Sequence, residues 1–418
     1  MITSMFVFGF VFFSASASAA AAAHGLNHPP IKRSASPLQL DFTVTHRIGN
    51  TSAEPGSMWD EARTKREAFA ETLASYHDIF YLTNVYLGSQ KQEVPVVIDT
   101  ASADLWVPSY GYDPRLSVSA HDTGETFYLE YLGRARYGGT YFLDRFQFAS
   151  NSSVVPRFKF ARDNSGHFGS GNFGSGNSGR GNSGRGNSGP ANSGPGAGAS
   201  GVGSGRFGVL GIGATSQQAS HTPYNNLPWA LYAEGIIPKP SYSLFSHPEE
   251  GTGTLIFGGV DSERYSGELV KYHVTNTTEG LAVNLDHMCF NGKEFAVNAP
   301  AKFNSGVSFG LLGREIMDEM DRIFQTKVST LNGVEYRTIS CDQPSDKTIE
   351  FDFGNNTISL TYADATIRMT KGACLLGFGY HEGKHVLGNV FLKRAYVYYD
   401  LSEKSISLAQ AKGPEDET

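Results

Sequence analysis

Two short segments of this chain share one pattern and differ at the position that could perform acid–base chemistry. Residues 97–102 read Val-Ile-Asp-Thr-Ala-Ser and are answered further on by Val-Leu-Gly at 209–211. Residues 302–308 read Lys-Phe-Asn-Ser-Gly-Val-Ser and are answered by Val-Leu-Gly at 386–388. The first copy therefore carries a carboxylate where the second carries an amide.

Two carboxyl groups held close together could perform hydrolysis by acid–base catalysis, without a metal or a covalent intermediate. A base must deprotonate water and an acid must protonate the carbonyl oxygen, and two adjacent carboxyls that share one proton supply both. Their mutual repulsion raises one pKa and keeps the proton in place at acid pH. Asp99 can serve in this way, whereas Asn304 neither stores the shared proton nor carries its charge.

Further segments of the chain resemble segments of the pepsin-like aspartic peptidases and occur in the same order along the chain. In that family each of two lobes supplies one aspartate. The similar segments cover almost everything from about residue 80 to 410, and they are residues 81–88, 99–108 (with Leu-Trp-Val-Pro at its end), 207–211, 253–261 and 386–392. The resemblance implies an all-β, bilobal fold with two pseudo-symmetric β lobes around a central cleft.

The resemblance also implies roles for the residues of the two turns. Asp99 takes the place of the first catalytic aspartate, and Asn304 takes the place of the second. Support of the dyad is implied for four neighbours: Thr100, Ser102, Ser305 and Ser308. Gly306 keeps the second turn and is a candidate substrate-binding residue, whereas Val307 replaces the usual hydroxyl residue. Ala101 stands where glycine is usual, which costs on the order of 1 kcal/mol if positive φ is required.

Loss of one acid predicts that hydrolysis is absent or residual. General acid–base catalysis contributes about 10²- to 10⁴-fold, and groups that act together fail together. Without a second carboxylate, Asp99 is expected to titrate as an ordinary carboxylate rather than as half of a coupled pair. The length of the match outweighs the alternative interpretation of Asp99 as a turn aspartate beside a strand.

A hairpin over residues 128–144 resembles the flap that closes over substrate in this family. Tyr131 takes the place of the flap tyrosine and Trp106 would back it, so both are candidate substrate-binding residues. The tip departs from the family pattern, since two arginines stand where small polar residues are usual and Tyr137 competes for the role. The alternative for Tyr131 is an exposed cross-strand aromatic residue.

Size and composition predict two domains and exclude some partners. The chain has 418 residues, 40% of them hydrophobic and 12% aromatic, which is enough for two ordinary cores. A formal net charge of -7 without a basic cluster argues against nucleic acid. No His/Cys cluster has metal-ligand spacing and no phosphate-binding motif opens a helix, so no metal or cofactor is expected. A Ser-His-Asp triad stays open, because its members need not be adjacent in the chain.

The N-terminus has the composition of a signal peptide. Residues 6–13 are a short apolar run followed by Ser and Ala, although a basic n-region is lacking. The run is shorter than the about 20 apolar residues of a membrane span. We therefore predict a signal peptide over 1–23 and export, with an uncleaved signal anchor as the alternative. Export is compatible with four potential glycosylation sites: Asn50, Asn151, Asn276 and Asn355.

Residues 24–76 have the pattern of a prosegment. A strand is predicted by four alternating apolar residues: Leu38, Leu40, Phe42 and Val44. A capping box at 57–60 then predicts a helix with basic side chains to about Tyr76. This order resembles zymogen prosegments, whose cations cover an acidic cleft until low pH releases them. The alternative is an ordinary solvated charged face.

The rest of the chain is predicted to form two lobes and a tail. We assign residues 77–235 to an N-terminal lobe, 236–410 to a C-terminal lobe and 411–418 to a polar tail. The clearest hairpin is predicted over 348–360. Residues 163–205 interrupt the first lobe with repeats of Gly, Asn and Ser, which cannot offset the entropy of ordering, so a flexible insertion is predicted.

Three cysteines are too few for a scaffold built on disulfides. Cys341 and Cys374 flank the predicted hairpin, so one bridge between them is predicted in an oxidising compartment. Cys289 has no evident partner in the sequence and is interpreted as a small buried hydrophobic residue.

These observations predict a secreted or endo-lysosomal monomer that binds extended polypeptide and has lost most or all hydrolysis. Backbone pairing and alternating side-chain pockets would hold such a ligand without cleaving it. One alternative is an active acid endopeptidase, through weak single-aspartate catalysis or after deamidation of Asn304 to aspartate. Another is an interaction or matrix protein that works through its Gly/Asn/Ser tract.

Overall fold

The structure is a computed structural model in which nine stretches of the chain are described: residues 35–46, 79–130, 136–148, 154–164, 207–247, 251–275, 280–331, 334–369 and 372–413. Strands dominate these stretches, so the all-β prediction is confirmed. The predicted signal peptide, the predicted helix after residue 57 and the predicted glycosylation sites other than Asn355 lie outside them.

The strands of the described residues alternate apolar and polar side chains where one face is solvated. Eleven precede residue 275: β1 (Leu38–His46), β2 (Ile79–Leu87), β3 (Gln92–Asp99), β4 (Leu105–Pro108), β5 (His121–Glu130), β6 (Arg136–Gln147), β7 (Val155–Asp163), β8 (Gly208–Gly211), β9 (Ser241–His247), β10 (Thr252–Phe257) and β11 (Tyr265–His273). Thirteen follow: β12 (Ala282–Phe290), β13 (Lys293–Phe303), β14 (Gly310–Leu312), β15 (Lys327–Leu331), β16 (Val334–Ile339), β17 (Thr348–Asp352), β18 (Thr357–Thr361), β19 (Thr366–Arg368), β20 (Cys374–Leu376), β21 (Phe378–Tyr380), β22 (His385–Leu387), β23 (Ala395–Asp400) and β24 (Ser405–Ala411).

Helices are few and short in the described residues. There are three α-helices: α1 (Leu227–Ala233), α2 (Arg314–Ile323) and α3 (Asn389–Leu392). There are also three 3-10 turns: Pro114–Leu116, Thr215–Gln217 and Ser262–Arg264.

The strands form three sheets within the described residues. The largest has thirteen strands in the order β11-β24-β23-β9-β10-β1-β2-β3-β8-β4-β7-β6-β5, the second has seven in the order β18-β17-β12-β13-β22-β14-β21, and the third has four in the order β15-β16-β20-β19. Each of the first two sheets contains one copy of the repeated sequence pattern. The main core packs Val, Ile, Leu and Phe side chains from both.

The two copies of the sequence pattern have the same topology. In the first, β8 pairs with β3 in parallel and with β4 antiparallel, so the Val-Leu-Gly segment lies between the strands that flank the turn. In the second, β22 pairs with β13 in parallel and with β14 antiparallel. Both faces of the inner strands are covered, so the side chains at the ends of β3 and along β8 are all buried instead of alternating between buried and exposed. The repeat seen in the sequence is therefore a repeat of structure.

Strand β1 lies in the middle of the largest sheet. It pairs antiparallel with β10 along one edge and with β2 along the other. Its inward-facing Phe42 and Val44 are buried, and Phe42 stacks on Tyr81 with ring centroids 4.7 Å apart. Gly253 leaves the space that the Phe42 ring fills, since a Cβ there would lie 2.2 Å from it. The strand predicted inside the prosegment-like region is thus part of the folded core.

Two predicted boundaries differ from the structure by one or two residues. The insertion was predicted from residue 163, but Asp163 ends β7 and its carboxylate accepts the backbone N–H of Gly138 at 2.9 Å. The polar tail was predicted from residue 411, but Ala411 ends β24 and is buried. In both cases a strand continues to the last residue that its neighbour can pair with.

The hairpin and disulfide of the second half match their predictions. Strands β17 and β18 pair antiparallel, and the exposed Asn355 lies in the turn between them. Cys341 and Cys374 form a disulfide with Cα atoms 5.2 Å apart. Cys289 is half-buried on β12 rather than fully buried, and burial followed by the charges of its neighbours raises its pKa, which disfavours a reactive thiolate.

Removal of the disulfide is expected to lower the free energy of unfolding by about 3 to 4 kcal/mol, because the bridge closes a loop with a sequence separation of 33. Urea unfolding of the Cys341→Ser/Cys374→Ser variant against the parent measures this loss. The Cys289→Ser variant controls for serine in place of sulfur and should change stability far less. Equal stability of the parent and the double variant would contradict the prediction.

Candidate functional site

Asp99 is held at the end of β3 by the parallel strand beside it. β3 pairs with β8 up to Asp99 and Gly211, and Asp99 is completely buried. Its Oδ1 accepts the backbone N–H of Ala101 at 2.8 Å, and its Oδ2 accepts the hydroxyl of Ser102 at 2.6 Å. Both carboxylate oxygens are therefore oriented by donors of the same turn.

Asn304 occupies the equivalent position after β13. Its Oδ1 accepts the backbone N–H of Gly306 at 2.8 Å, as Asp99 does from its own turn. The residue equivalent to Ser102 is Val307, whose side chain has no hydroxyl to donate. Asn304 is completely buried, and Ser308 is 2% exposed and accepts the N–H of Val390 through its backbone carbonyl.

A set of reciprocal hydrogen bonds joins the two turns. The hydroxyl of Thr100 donates to the carbonyl of Phe303 at 3.0 Å and accepts the N–H of Ser305 at 3.1 Å. In return, the hydroxyl of Ser305 accepts the N–H of Thr100 at 3.1 Å and donates to the carbonyl of Ile98 at 2.8 Å. Four buried backbone groups are satisfied by two hydroxyls, so the turns are fixed against each other.

Gly306 lies against both polar side chains. A Cβ added at Gly306 would lie 2.7 Å from Asp99 Oδ1 and 3.1 Å from Asn304 Oδ1. The two oxygens therefore face the same backbone position, one from each turn. Glycine is required here for lack of space, and the arrangement brings together the residues that the sequence predicts as a pair.

The pKa of Asp99 corrects one sequence-based expectation. Burial raises it above the ordinary aspartate value, while Ser102, the Ala101 N–H and the positive charge of Lys302 act in the opposite direction. No second carboxylate is among the described groups that shift it. The expectation of an ordinary carboxylate pKa is therefore wrong, because burial has removed the water that stabilises the ionised form of Asp99.

Ala101 fits its turn without the strain that was considered from the sequence. It is completely buried and is not among the described residues with positive φ. The usual glycine is therefore not needed here for backbone conformation.

The described part of the flap-like hairpin contacts Trp106 through Tyr137. Strands β5 and β6 pair antiparallel from His121 and Leu143 to Glu130 and Arg136. Tyr137 is buried against Trp106, with ring centroids 4.4 Å apart. Tyr131 lies outside the described residues, so its predicted role stays a prediction.

Sequence comparison agrees with this geometry. The family model described as eukaryotic aspartyl protease matches residues 80–174 and 198–411. The chain belongs to this family. The unmatched residues between the two segments fall within the Gly/Asn/Ser tract, and both turns fall within the matched segments.

Three relatives match this chain over 87 to 92% of their own length. Candidapepsin of Candida tropicalis is 30% identical over 93% of this chain and 92% of its own. Candidapepsin-1 of Candida albicans (strain WO-1) is 28% identical over 92% of each chain. Secreted aspartic protease 6 of Candida albicans is 29% identical over 92% of this chain and 87% of its own.

A buried polar network supports the aspartyl protease fold beneath Trp106. Asp104 accepts the hydroxyls of Tyr141 and Tyr224, each at 2.8 Å, and the N–H of Ala219 at 2.7 Å. Burial raises the pKa of Asp104, and these donors act against it. Lys159 forms an ion pair with Glu125 at 2.5 Å and lies over both tyrosine rings, 4.6 and 4.8 Å from their centroids. Its positive charge also lowers the pKa of Asp104.

Sequence reasoning missed two contributions to the site. Asn389 donates through Nδ2 to the carbonyl of Ser305 at 3.0 Å and so supports the second turn from α3. Lys302 is 5% exposed and lies two residues before Asn304. The sequence shows that Lys302 stands where the first copy has Val97, but it does not show that the lysine is buried, and nothing in it placed Asn389 beside Ser305.

The described residues contain neither a metal-binding cluster nor a membrane-crossing helix. No group of three or more His, Cys, Asp or Glu side chains there is arranged to hold a metal ion. Within the same stretches, no helix has the length and hydropathy of a membrane-crossing helix.

Proposed function

We propose that this protein is a secreted, monomeric aspartyl protease homologue that binds extended polypeptide between its two lobes and hydrolyses it weakly or not at all. The observation that carries the proposal is the pairing of Asp99 with Asn304 against Gly306. The turn that supplies the second acid in the family supplies an amide here. Export is supported by the N-terminal apolar run and by relatives named as secreted proteases.

The surroundings of Asn304 are consistent with an amide rather than an acid. In the first turn the Ser102 hydroxyl donates to the second oxygen of Asp99. In Asn304 the atom equivalent to this second oxygen is the amide nitrogen, which is itself a hydrogen-bond donor and cannot accept from a hydroxyl. Val307, at the position of Ser102, has no hydroxyl to donate. The two substitutions fit each other, which supports a turn adapted to binding rather than a turn damaged at one position.

Two features on which peptide binding would depend support the proposal. The two turns are still joined by Thr100 and Ser305, and the hairpin of β5 and β6 still packs on Trp106. An extended peptide can pair its backbone with such a hairpin and place alternate side chains in pockets. Binding needs these features but does not need a shared proton. Loss of one acid would therefore remove hydrolysis and leave peptide binding.

The test compares the protein with its Asp99→Asn variant at pH 3 to 6, with a chemically unfolded protein as substrate and the Candida tropicalis candidapepsin as a positive control. Turnover at least about 100-fold below the control, and no higher than in the variant, is expected. Binding of extended peptides from a random library should persist in the parent. Mass spectrometry must show that Asn304 remains an amide. Turnover in the parent that disappears in Asp99→Asn would support an active acid endopeptidase instead.

A further inference from the structure

The outer strand of the flap-like hairpin, β5, is only partly held by its neighbour. It ends the thirteen-stranded sheet, so within the described residues its backbone pairs with β6. Between Asp122 and Thr126, four residue steps along β5 oppose two steps along β6, which is a bulge. There the N–H groups of Gly124 and Glu125 donate to the side chains of Asp122 and Thr123, at 2.8 and 3.2 Å. The ladder with β6 therefore does not hold β5 at Glu125.

The carboxylate of Glu125 attaches β5 to the rest of the lobe instead. Its Oε2 accepts the ammonium group of Lys159 on β7 at 2.5 Å. Its Oε1 accepts the hydroxyl of Ser220 at 2.5 Å, and Ser220 belongs to a loop that we define as residues 219–224. One carboxylate thus joins the hairpin to a neighbouring strand and to this loop.

Lys159 is the cation at the centre of these contacts. It is 9% exposed, and it also donates to the Ser220 hydroxyl at 2.8 Å. Its ammonium group lies over the ring of Tyr141 on β6 and over the ring of Tyr224 in the loop. A charge at this depth is favourable only when opposite charge and hydrogen bonds compensate it, and Glu125 provides the opposite charge.

The same contacts continue to the segment that carries Trp106. The two tyrosine hydroxyls donate to Asp104, which is 1% exposed and lies two residues before Trp106. The ring of Tyr141 also packs edge-on against Phe127 of β5, which in turn contacts Trp106. A continuous set of contacts therefore leads from the bulge of β5, through Lys159, to the strand that follows the Asp99 turn.

We propose that the ion pair of Glu125 and Lys159 positions the β5–β6 hairpin for peptide binding, so that loss of either charge releases the hairpin from the 219–224 loop and weakens binding. The two side chains act as positioning residues and not as contacts of the peptide. The proposal rests on the proposed peptide binding and identifies the residues that keep the hairpin ready for it.

The physical reason is the free energy needed to order a mobile hairpin. An extended peptide can pair only with a hairpin that is in place, and the apparent affinity falls with the fraction of molecules in which it is. Removal of one charge also leaves the other partly buried without its partner. Loss of Lys159 alone should therefore release the hairpin at least as much as loss of both charges.

The binding test uses three variants of the full chain: Lys159→Met, Glu125→Gln and the double variant Glu125→Gln/Lys159→Met. Methionine and glutamine keep side-chain length without charge, and glutamine can still accept through its amide oxygen. Each single variant should bind about 10-fold or more weakly at neutral pH. The double variant should bind no more weakly than the weaker single variant, because both changes remove the same interaction. The probe is one extended peptide that the parent selects from a random library.

The matched control removes a buried ion pair from another sheet. Arg337 of β16 is 3% exposed and donates to Asp321 at 2.7 Å. Arg337→Met should lose stability as Lys159→Met does, but it should keep the peptide affinity of the parent within about twofold at a temperature where both variants are folded.

Hydrogen exchange measures the position of the hairpin without any ligand. In Lys159→Met, the amides of β5, of β6 and of the 219–224 loop should exchange at least about 10-fold faster than in the parent, while those of β12 and β13 keep their rates. In Arg337→Met the hairpin should exchange as in the parent. Faster exchange of the hairpin in both variants would overturn the proposal, since the effect would then be one of global stability.

The outcomes distinguish this proposal from the proposed function. A parent that binds no peptide would overturn the proposed function and this proposal with it. A parent that binds, with Lys159→Met binding equally tightly, would leave the proposed function standing and overturn the role of the ion pair. If neither single variant folds, the double variant carries the test, because it buries no isolated charge. Parent-like affinity in the folded double variant would overturn the proposal.

Discussion

Replacement of Thr100 by valine is expected to lower the free energy of unfolding by about 3 kcal/mol. The change keeps the size of the side chain but removes the hydroxyl that donates to Phe303 and accepts from Ser305. Both backbone groups would then be buried without a partner, at a cost of about 1 to 3 kcal/mol each. Guanidinium unfolding at neutral pH measures the loss.

The matched control is Thr100→Ser, which keeps the hydroxyl and removes only a methyl group. It should cost about 1 kcal/mol, so most of the difference between the two variants reports the hydrogen bonds that join the lobes. If valine and serine destabilise equally, packing rather than hydrogen bonding accounts for the role of Thr100.

Replacement of Trp106 by alanine is expected to cost about 3 to 5 kcal/mol and also to weaken peptide binding. Trp106 is 1% exposed and packs against Tyr137 and Phe127, so its removal leaves a cavity beneath the hairpin. The hairpin would lose the ring on which its second strand rests. Thermal unfolding and peptide titration of the same preparation measure the two effects.

A control of similar stability isolates the effect on binding. Phe351 is completely buried on β17 and packs against Phe378 and Phe391 in the second sheet. Phe351→Ala should lose comparable stability but should retain peptide affinity at a temperature where both variants are folded. Equal loss of affinity in the two variants would mean that Trp106 acts through global stability alone.

The two turns could be predicted from the sequence because their signal is local and occurs twice. Six residues around Asp99 and the equivalent six around Asn304 specify a strand, a tight turn and a glycine or alanine. The Val-Leu-Gly segments then predicted which distant strand lies beside each turn. A local pattern with an internal copy is the kind of signal that a single sequence carries best.

The contacts between residues far apart in the chain could not be predicted in this way. Asp104 meets Tyr141 and Tyr224, which lie 37 and 120 residues further on, and no periodicity relates them. Lys302 resembles an exposed charge when read alone, and only the register of β13 between β12 and β22 shows that it is buried. The pairing of strands across the sheet, rather than the propensity of single residues, determines both the contacts of Asp104 and the burial of Lys302.

The burial of Tyr137 against Trp106 could not be read from the resemblance. The sequence resemblance favoured Tyr131 against Trp106 and treated Tyr137 as a competitor. The structure places Tyr137 on Trp106, because the antiparallel register opposes it to Leu129 on the inner face of the hairpin. Tyr131 lies outside the described residues, so its role as the flap tyrosine stays a prediction beside this contact.

Strand β1 also affects how the protein can be handled. It is hydrogen-bonded to β10, which carries residues assigned to one predicted lobe, and to β2, which carries residues assigned to the other. A protein shortened to begin at residue 77 would present two unpaired strand edges and an empty slot where Phe42 packs. Such edges are templates for intermolecular association. Truncated preparations would therefore aggregate unless residues 35–46 were supplied, either in the same chain or as a separate peptide.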